Sequence, residues 1–523
     1  MNSDRLNDVL ADLFAACDRH GPLPALSTEA SGTLTYGELA AQVRSVAAGL
    51  RARGLQDGDR VLYSVRPEPL GVVLALGIVA AGGTVVFADP GVTPSLFAAR
   101  LELAAPRWAA SESLLYCASG FRLTRALARR RGLLLPRLSS LTLQHLYVGR
   151  WLPGVPRGAV NARDLLTAAP ALEVSAAPEQ EAVIVFTSGT TAAPRAIVHS
   201  RGSLGAAAAS IRRRSPAGPG DVVHTDQLMV GLPTLTTGAH WTMPPFGLAA
   251  RADVVRYAAG LARATATFTV PADFAVLLDA VEAGVVPAPT ALRRVQLGGA
   301  PVLAPLLERA AKLLPGVEFE AVYGMTEIVP VTVVSGAEKV AFDGPGDLLG
   351  EPLPGIGARI ADHGELLLSG PPLAPAILGE GPLREHPTGD LARWDGDRLV
   401  LVGRKKDMII RRWTNVYPGL YEPALSRLPG VAAALLVGLP DEVGDERVVL
   451  AVVPEGLAGE SDSDVRVLPD DGLAARVRAA AADVLDVDAM PDDVVLISAV
   501  PVTGRARKPD RPALRELLSR PSR

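Results

Sequence analysis

Residues 182–195 of this 523-residue chain read AVIVFTSGTTAAPR, an apolar run followed by a loop rich in hydroxyl groups. The β-branched stretch 182–185 predicts a buried strand. Four hydroxyl residues surround Gly189 in the loop: Thr187, Ser188, Thr190 and Thr191. Hydroxyls and backbone N–H groups in a tight turn form a concave donor surface that suits phosphate oxygens. Arg195 adds a positive charge directly after the turn, so the segment predicts a strand that delivers a phosphate-binding loop.

An ordinary Ser/Thr/Gly turn is the alternative interpretation of this loop. The loop is not the nucleotide motif GxxxxGK[ST], because no Gly-Lys-Ser/Thr follows at the required spacing. Four segments further along the chain bear on the choice: LGGAP at 297–301, VYGMTE at 322–327, TGD at 388–390 and GRKKD at 403–407. Each of them is common in loops when taken singly. Their occurrence together, in this order, favours a functional interpretation of all of them.

Composition excludes several classes of protein. With 48% hydrophobic residues the chain can form packed interiors, and its length predicts at least two domains. A net charge of −4 gives no support for a nucleic-acid partner. The arginine runs 129–131 and 212–214 are short, and we expect them to be solvated. Cys17 and Cys117 form no CxxC pair, which argues against a disulfide framework and a structural zinc site and predicts a cytoplasmic protein.

The most apolar stretch, residues 70–87, is at the lower length limit for a membrane span and contains four glycines. We expect a buried helix followed by a strand at 84–87, and no membrane span. Helix and strand patterns alternate from residue 35 to residue 87, around the hydroxyl-rich loop, and again from residue 265 to residue 297. Such alternation predicts α/β units with parallel sheet.

The later part of the chain has a different pattern. Segments 364–370 and 398–402 predict short antiparallel strands, 454–471 an exposed loop and 513–519 a short helix. The fold class predicted is α/β, with a large N-terminal domain of α/β subdomains that includes a small β-rich part. A smaller, mobile α+β C-terminal domain follows. The boundary is expected at GRKKD, which gives domains at 1–403 and 404–523.

Taken together, these segments resemble the adenylate-forming (AMP-binding) superfamily of acyl-CoA synthetases, peptide-synthetase adenylation domains and luciferases. The resemblance covers nearly the whole length, from the TYGEL segment at 35–39 to the terminal lysine region. It implies a two-domain ligase that uses ATP and Mg²⁺. The implied reaction joins a small carboxylic acid to AMP with release of pyrophosphate. The acyl group would then pass to a thiol, either of coenzyme A or of phosphopantetheine on an acyl carrier protein.

The resemblance also implies roles for individual residues. The loop Thr187, Ser188, Gly189, Thr190, Thr191 and Arg195 would hold the β- and γ-phosphates of ATP. Gly299, Ala300 and Pro301 would line the adenine pocket, and Tyr323 would stack on the ring. Thr326 would bind the α-phosphate and Glu327 would ligate Mg²⁺, which prefers carboxylate oxygen. Asp390 and Arg404 would bind the ribose.

Lys508 would bridge the substrate carboxylate and the α-phosphate, where its positive charge stabilises the transition state. Lys406 falls at the hinge position about which the small domain rotates.

Several positions depart from the family pattern. Ala192 and Ala196 stand where the family commonly has glycine, and Arg195 stands where it has lysine, with the charge kept. The segment before Lys508 is one residue longer than usual, which makes Arg505 and Arg507 competitors for its role. Residues 412 and 413 are Arg and Trp, where members that use coenzyme A have glycines along the pantetheine arm. Either the thiol enters differently, the second step is not transfer to coenzyme A, or the Trp413 indole folds onto the surface.

The substrate is only loosely constrained. The segment 232–238, LPTLTTG, lacks the acidic residue that amino-acid-activating domains use for an α-ammonium group. An unpaired buried amine would be costly, which favours a simple or hydroxylated acid. Short segments at 89–91, 232–234 and 327–331 are similar to the branch that closes β-hydroxy acids into β-lactones. That closure is one alternative for the second step, and a catalytically idle scaffold is the other alternative function.

Overall fold

The computed structural model describes residues 7–29, 31–87, 94–130, 135–167, 172–187, 194–244, 253–411, 414–440, 446–457, 459–461, 465–470, 472–485, 489–503 and 507–519. They form fifteen α-helices: α1 Val9–His20, α2 Tyr36–Ala52, α3 Pro69–Ala80, α4 Pro94–Ala104, α5 Ser113–Gly120, α6 Arg122–Arg130, α7 Arg201–Arg214, α8 Leu228–Leu235, α9 Val254–Leu261, α10 Pro271–Glu282, α11 Ala304–Leu313, α12 Gly336–Ala341, α13 Pro418–Leu425, α14 Leu473–Ala481 and α15 Arg511–Ser519.

The described residues also form thirty strands. Those up to residue 300 are β1 Pro24–Thr28, β2 Thr33–Thr35, β3 Arg60–Ser64, β4 Thr84–Phe87, β5 Trp108–Glu112, β6 Gln144–Val148, β7 Val160–Asn161, β8 Glu181–Thr187, β9 Arg195–Ser200, β10 Val222–His224, β11 His240–Met243, β12 Ala266–Thr269 and β13 Arg294–Gly298. The others are β14 Glu318–Met325, β15 Ile328–Ser335, β16 Asp347–Gly350, β17 Gly357–Ile360, β18 Glu365–Ser369, β19 Ala376–Ile377, β20 Gly381–Pro382, β21 His386–Asp395, β22 Arg398–Arg404, β23 Ile409–Arg411, β24 Thr414–Val416, β25 Val431–Pro440, β26 Glu446–Pro454, β27 Glu460–Ser461, β28 Asp493–Leu496, β29 Val500–Thr503 and β30 Lys508–Pro509.

The chain divides into two compact units, each assembled from separate segments. The first unit comprises Met1–Thr267, Met325–Pro330 and Ser369–Arg384. Its largest sheet has nine strands in the order β20-β19-β9-β8-β4-β3-β5-β6-β7. The pairs from β8 through β7 are parallel, whereas β8–β9, β9–β19 and β19–β20 are antiparallel. The hydroxyl-rich loop therefore connects two antiparallel neighbours at one side of a mostly parallel sheet.

Two helices of this unit show how the sequence specifies the local structure. Helix α2 begins at a capping box, in which the Glu38 carboxylate accepts from Thr35 N (2.8 Å) and Thr35 Oγ1 accepts from Glu38 N (3.3 Å). Helix α3 is apolar on all sides and buried at ten of its twelve positions, which suits an interior helix. The predicted buried helix and the strand after it are thereby confirmed. Among the described residues, no helix is both long and apolar enough to cross a membrane.

The second unit comprises Phe268–Gly324, Val331–Leu368 and Glu385–Arg523. Strands β13 and β14 pair in parallel, with Leu297 opposite Ala321. A five-stranded sheet follows in the order β16-β22-β21-β18-β17, and its neighbours β16–β22, β22–β21 and β21–β18 are antiparallel. Near the C-terminus the long hairpin β25–β26 carries β28 in parallel on one side. Separate apolar clusters cover the two faces of that hairpin.

The α/β class predicted from the sequence is confirmed, and so are the antiparallel strands at 365–369 and 398–404. The predicted loop at 454–471 differs in detail, because β27 pairs in parallel with β29 and Val500 N donates to Gly459 O (3.0 Å). The expected domain boundary between residues 403 and 404 lies inside the second unit and stays a prediction.

His224 makes the stability of the first unit dependent on pH. Its ring is 4% exposed, and Nδ1 pairs with Thr242 Oγ1 at 2.8 Å, while Nε2 is buried without a hydrogen-bond partner in the described protein. Burial lowers the pKa of His224 from 6.5 to about 4. A depressed folded-state pKa means that the unfolded chain takes up the proton first as the pH falls.

We therefore expect the free energy of unfolding to decrease as the pH falls from 6.5 to 4. Above pH 6.5 it should not depend on this group. The His224 contribution lost at pH 5 is about 2 kcal/mol. Urea unfolding at pH 7 and at pH 5 measures it, with His224→Gln as the variant that removes the titrating group. If the variant and the wild type lost the same free energy of unfolding between pH 7 and pH 5, this assignment would be wrong.

Candidate active site

The part of the predicted phosphate loop that the structure describes lies in the first unit. Thr187 ends β8 and Arg195 begins β9, and the two residues are register partners across the antiparallel pair. The two strand ends therefore hold the residues that flank the loop opposite each other. Ser188, Gly189, Thr190 and Thr191 lie outside the described residues, so their predicted phosphate contacts stay a prediction.

Arg195 is held by two glutamates of the same unit. Its Nε donates to Glu380 Oε1 at 3.0 Å and its Nη2 to Glu380 Oε2 at 3.1 Å, a two-point pairing along one edge of the guanidinium. The remaining Nη1 lies 3.8 Å from Glu327 Oε1. Hydrogen bonding to Glu380 raises the pKa of Arg195 above its ordinary value. Glu380 thus fixes a permanent positive charge beside Glu327, and no sequence motif indicated this pairing.

His199 connects β9 to the Thr326–Glu327 segment. The ring Nε2 lies 2.7 Å from the Thr326 carbonyl oxygen, and Nδ1 lies 3.2 Å from Ser203 Oγ. Because a carbonyl oxygen only accepts, Nε2 carries the proton. Burial lowers the pKa of His199, so the ring stays neutral and donates one bond to the backbone. This histidine positions the main chain at Thr326, and its place in the apolar strand 195–200 was the only sequence signal for it.

Asp390 organises the sugar-binding residues predicted in the second unit. Its carboxylate is 3% exposed, and its two oxygens accept from different neighbours: Oδ2 from the Tyr323 hydroxyl at 2.8 Å and Oδ1 from Arg404 Nε at 3.0 Å. Burial, and then the Asp390 charge, raises the pKa of Tyr323 well above its ordinary value, so the phenol stays a donor. The structure therefore brings Tyr323 of β14 to the hairpin β21–β22, on which Asp390 and Arg404 are register partners.

The part of β21 that carries Asp390 is fixed by hydrogen bonds to its backbone. Asp390 N donates to Thr388 Oγ1 at 3.0 Å, and Gly389 N donates to Glu365 Oε1 at 3.0 Å. Gly389 has φ +71°, a left-handed conformation that favours glycine. Glu365 is 7% exposed and also pairs with Lys405 Nζ at 3.3 Å. Sequence reasoning missed Glu365, although a carboxylate opening the apolar strand β18 is an unusual placement.

The predicted adenine-binding segment follows β13. Gly299 has φ +79°, and it is exposed together with Pro301, while Ala300 is half-buried. The preceding Gly298 is tightly packed, because a Cβ there would lie 2.9 Å from Val322 O and 3.1 Å from Phe268 Cζ. The segment therefore leaves the sheet with little side-chain bulk, as a surface for a flat ring requires.

The structure distinguishes two of the three candidates for the catalytic cation, Lys508 and Arg507. Lys508 is exposed on β30 as the register partner of Thr503. Arg507 is 7% exposed, has φ +48° and directs Nε toward Glu460 Oε2 at 3.4 Å. Arg505 lies outside the described residues. A buried arginine occupied by a carboxylate is poorly placed to meet a ligand, which favours Lys508.

The predicted hinge lies beside a buried ion cluster. Lys406 is exposed in the short 3₁₀ turn Lys405–Asp407. The Arg511 side chain is 12% exposed, pairs with Glu422 at 2.7 Å and with Asp407 at 3.3 Å, and donates to Leu436 O at 2.7 Å. Arg511 is the first residue of α15 and lies three positions after Lys508. It therefore connects this helix to the predicted hinge turn. Sequence reasoning did not single out Arg511.

Two further predictions concern metals and the pantetheine arm. Among the described residues, no three His, Cys, Asp or Glu side chains cluster as a metal site. Arg412 and Trp413 lie outside the described residues, so the question of the pantetheine arm stays open.

Comparisons with known proteins identify the class. A solved amide bond synthetase, McbA from Marinactinospora thermotolerans, superposes with a TM-score of 0.76 at 24% identity and covers 97% of this chain and 99% of its own. A feruloyl-CoA synthase of an Amycolatopsis species is 30% identical over 458 residues, 80% of this chain and 84% of that protein. An olefin beta-lactone synthetase of Stenotrophomonas maltophilia strain K279a is 28% identical over 490 residues, 82% of each chain.

The fold is that of the adenylate-forming ligases. Residues 13–378 match the family model of the AMP-binding enzymes, and residues 421–507 match the model of their C-terminal domain. The chain belongs to the AMP-binding enzyme family. It is accordingly an adenylate-forming ligase, as the sequence resemblance implied.

The Arg511 cluster predicts a large effect on stability. In Arg511→Ala the carboxylates of Glu422 and Asp407 lose a buried cation, which we expect to lower the free energy of unfolding by about 3 kcal/mol. Denaturant unfolding measures the loss. Arg476→Ala, on the exposed face of α14, is the matched control and should change stability by less than about 0.5 kcal/mol. Equal effects of the two substitutions would refute the structural role of the cluster.

Proposed function

We propose that this ligase activates a carboxylic acid as its acyl-AMP and then passes the acyl group to the thiol of coenzyme A or of a carrier protein's phosphopantetheine. The observation that carries the proposal is the Asp390 carboxylate held by Tyr323 and Arg404. Each carboxylate oxygen has two lone pairs, and the protein engages one donor at each, so both oxygens keep capacity for the two hydroxyls of a ribose. The relatives that cover most of the chain support a ligase of this kind.

In the first step, a substrate carboxylate oxygen attacks the α-phosphorus of ATP and pyrophosphate leaves. The protein's contribution is positioning and neutralisation of charge. Thr187, the loop hydroxyls and Arg195 would hold the β- and γ-phosphates, and the Thr326 hydroxyl the α-phosphate. Tyr323 would stack on the adenine against the segment 299–301. In this arrangement, the two hydrogen bonds to Glu380 would hold the Arg195 guanidinium in place for the phosphates.

Glu327 has the properties of a magnesium ligand. Its buried carboxylate supplies the hard oxygen that Mg²⁺ prefers, and Arg195 approaches it only to 3.8 Å. A single protein carboxylate suffices for this ion, since Mg²⁺ in such sites completes its shell with phosphate oxygens and water. When bound, the ion would neutralise phosphate charge. The Thr326 main chain that precedes Glu327 is held in place by His199.

Lys508 is proposed to bridge the carboxylate and the α-phosphate, where its charge would stabilise the developing negative charge. Lys406 is proposed as the hinge about which the small domain, residues 404–523, moves between the two steps. Two free thiols, Cys17 buried and Cys117 half-buried, fit a reducing compartment and support a cytoplasmic location.

β-Lactone closure is the second candidate for the later step. There, the substrate's own β-hydroxyl would attack the acyl carbon of the acyl-AMP and release AMP. The similarity to an olefin beta-lactone synthetase and the bulky pair Arg412-Trp413 at the expected thiol path favour it. The helix α8 carries no carboxylate that could bind an α-ammonium group, which supports a substrate without an amine in either case.

The decisive experiment is ATP–pyrophosphate exchange over fatty, aryl, β-hydroxy and amino acids. We expect exchange with one of the classes that lack an amine, and a thioester on addition of coenzyme A. Formation of a β-lactone together with AMP from β-hydroxy acids, without any thiol, would establish the lactone route instead. No exchange with any acid would overturn the proposal in favour of an idle scaffold.

Lys508 and Arg507 provide a test of the catalytic assignment. Lys508→Ala should lower the adenylation kcat by a factor of about 10²–10³, because a charge that acts in the transition state is removed. Arg507→Ala should leave kcat within about threefold of wild type, since that side chain is buried against Glu460. Single-turnover adenylation measures both variants. The reverse ranking would transfer the role to Arg507.

A further inference from the structure

The segment from residue 113 to residue 163 has an unusual charge. It contains nine arginines and no lysine, aspartate or glutamate, although the whole chain has 52 basic and 56 acidic residues. Five of these arginines are exposed and have no carboxylate partner in the described structure: Arg122, Arg137, Arg150, Arg157 and Arg163. An uncompensated positive segment in a chain of negative net charge points to an anionic partner.

Large apolar side chains are exposed in the same segment. Their exposed fractions are Leu114 60%, Phe121 46%, Leu123 86%, Leu127 54% and Trp151 61%. These five make up half of the large hydrophobic residues exposed in the described structure, within about a tenth of the chain. Single exposed leucines need no explanation, but such a concentration marks an interaction surface.

The elements that carry these residues pack on one another. Thr124 Oγ1 donates to Ala118 O (2.7 Å) and Arg125 Nη1 to Ser119 O (3.0 Å), which fixes the start of α6 on the end of α5. The loop around Trp151 lies on α5 as well, because Gly154 Cα is 3.4 Å from where a Cβ on Gly120 would lie. A small apolar cluster joins Tyr116 of α5 to Leu138 and Val155. We call this set, α5, α6 and the segments 137–141 and 149–157, the arginine surface.

Helix α6 itself has the composition of an interfacial helix. Its sequence RLTRALARR has four arginines and no acid, with Leu123 and Leu127 one turn apart on the same side. Every side chain described from 122 to 128 is exposed or half-buried, and α5 is the element on which α6 chiefly packs. Arginines beside exposed Leu, Phe and Trp are typical of helices that lie in the headgroup region of a membrane.

We propose that the arginine surface binds the surface of an anionic phospholipid membrane reversibly. The arginines would pair with lipid phosphates, while Leu123, Leu127 and Trp151 would enter the boundary between headgroups and acyl chains. Neither the arginines nor the apolar side chains would suffice alone, because a short apolar insertion binds weakly and purely electrostatic binding is screened by salt. A nucleic acid would match the charge but would leave the exposed leucines and the indole in water, and an acidic protein would need an apolar patch of its own to cover them.

Co-flotation of the full chain with phosphatidylcholine vesicles, with and without phosphatidylglycerol, tests the proposal. We expect binding only to the anionic vesicles, with a partition coefficient that falls as salt rises. The double variant Leu123→Ser/Leu127→Ser and the single variant Arg122→Glu should each lower that coefficient about tenfold or more. Because these side chains are exposed, thermal unfolding and ATP–pyrophosphate exchange in solution should match the wild type.

The matched controls lie elsewhere on the surface. Val285→Ser/Leu457→Ser removes apolar side chains that are 59% and 44% exposed, and Arg213→Glu reverses an exposed arginine of α7. Both should bind anionic vesicles as the wild type does. The proposal fails if the wild type does not float with anionic vesicles, or if the controls lose as much binding as the surface variants. Arginine-surface-dependent binding to an acidic carrier protein or to an oligonucleotide, without vesicle binding, would assign the surface to that partner instead.

Discussion

The buried Asp390 carboxylate is the constraint on which the proposed nucleotide site depends. A charge that is 3% exposed is stable only if its oxygens are paired, and here Tyr323 and Arg404 supply one donor each. These donors come from different strands, β14 and β22, so the pairing aligns their ends with residues 388–390 of β21. The Glu365 carboxylate holds the same segment, because it accepts from Gly389 N. A ribose would meet a surface already organised by these contacts.

The first unit uses the same principle at Arg195. Glu380 occupies one edge of the guanidinium, and the other end faces Glu327 at 3.8 Å. A positive and a negative group thus lie side by side where phosphate and a divalent cation are proposed to bind. This arrangement requires arginine in place of the family's usual lysine. The planar guanidinium can donate to Glu380 along one edge while its third nitrogen faces another group.

The arginine surface shows how a single chain can carry two separate kinds of charge pattern. Asp390 and Arg195 have partners of opposite charge, because they are wholly or partly buried and an unpaired ion there would be costly. On the arginine surface, exposed arginines such as Arg122, Arg137 and Arg150 have no carboxylate partner in the described structure, and water solvates them at low cost. Such arginines next to exposed leucines mark this surface for an external partner.

The sequence alone determined the α/β class, the main strands and helices and the family, because these depend on local periodicity, turn residues and motif order. It also named Tyr323, Asp390 and Arg404, but only the tertiary structure showed that they share one carboxylate. Glu365, Glu380, His199 and Arg511 were not foreseen, since their partners lie up to 185 positions away and a lone charged residue has no periodic signal. The arginine surface was not foreseen either, because it depends on which leucines the fold leaves uncovered, and packing decides that.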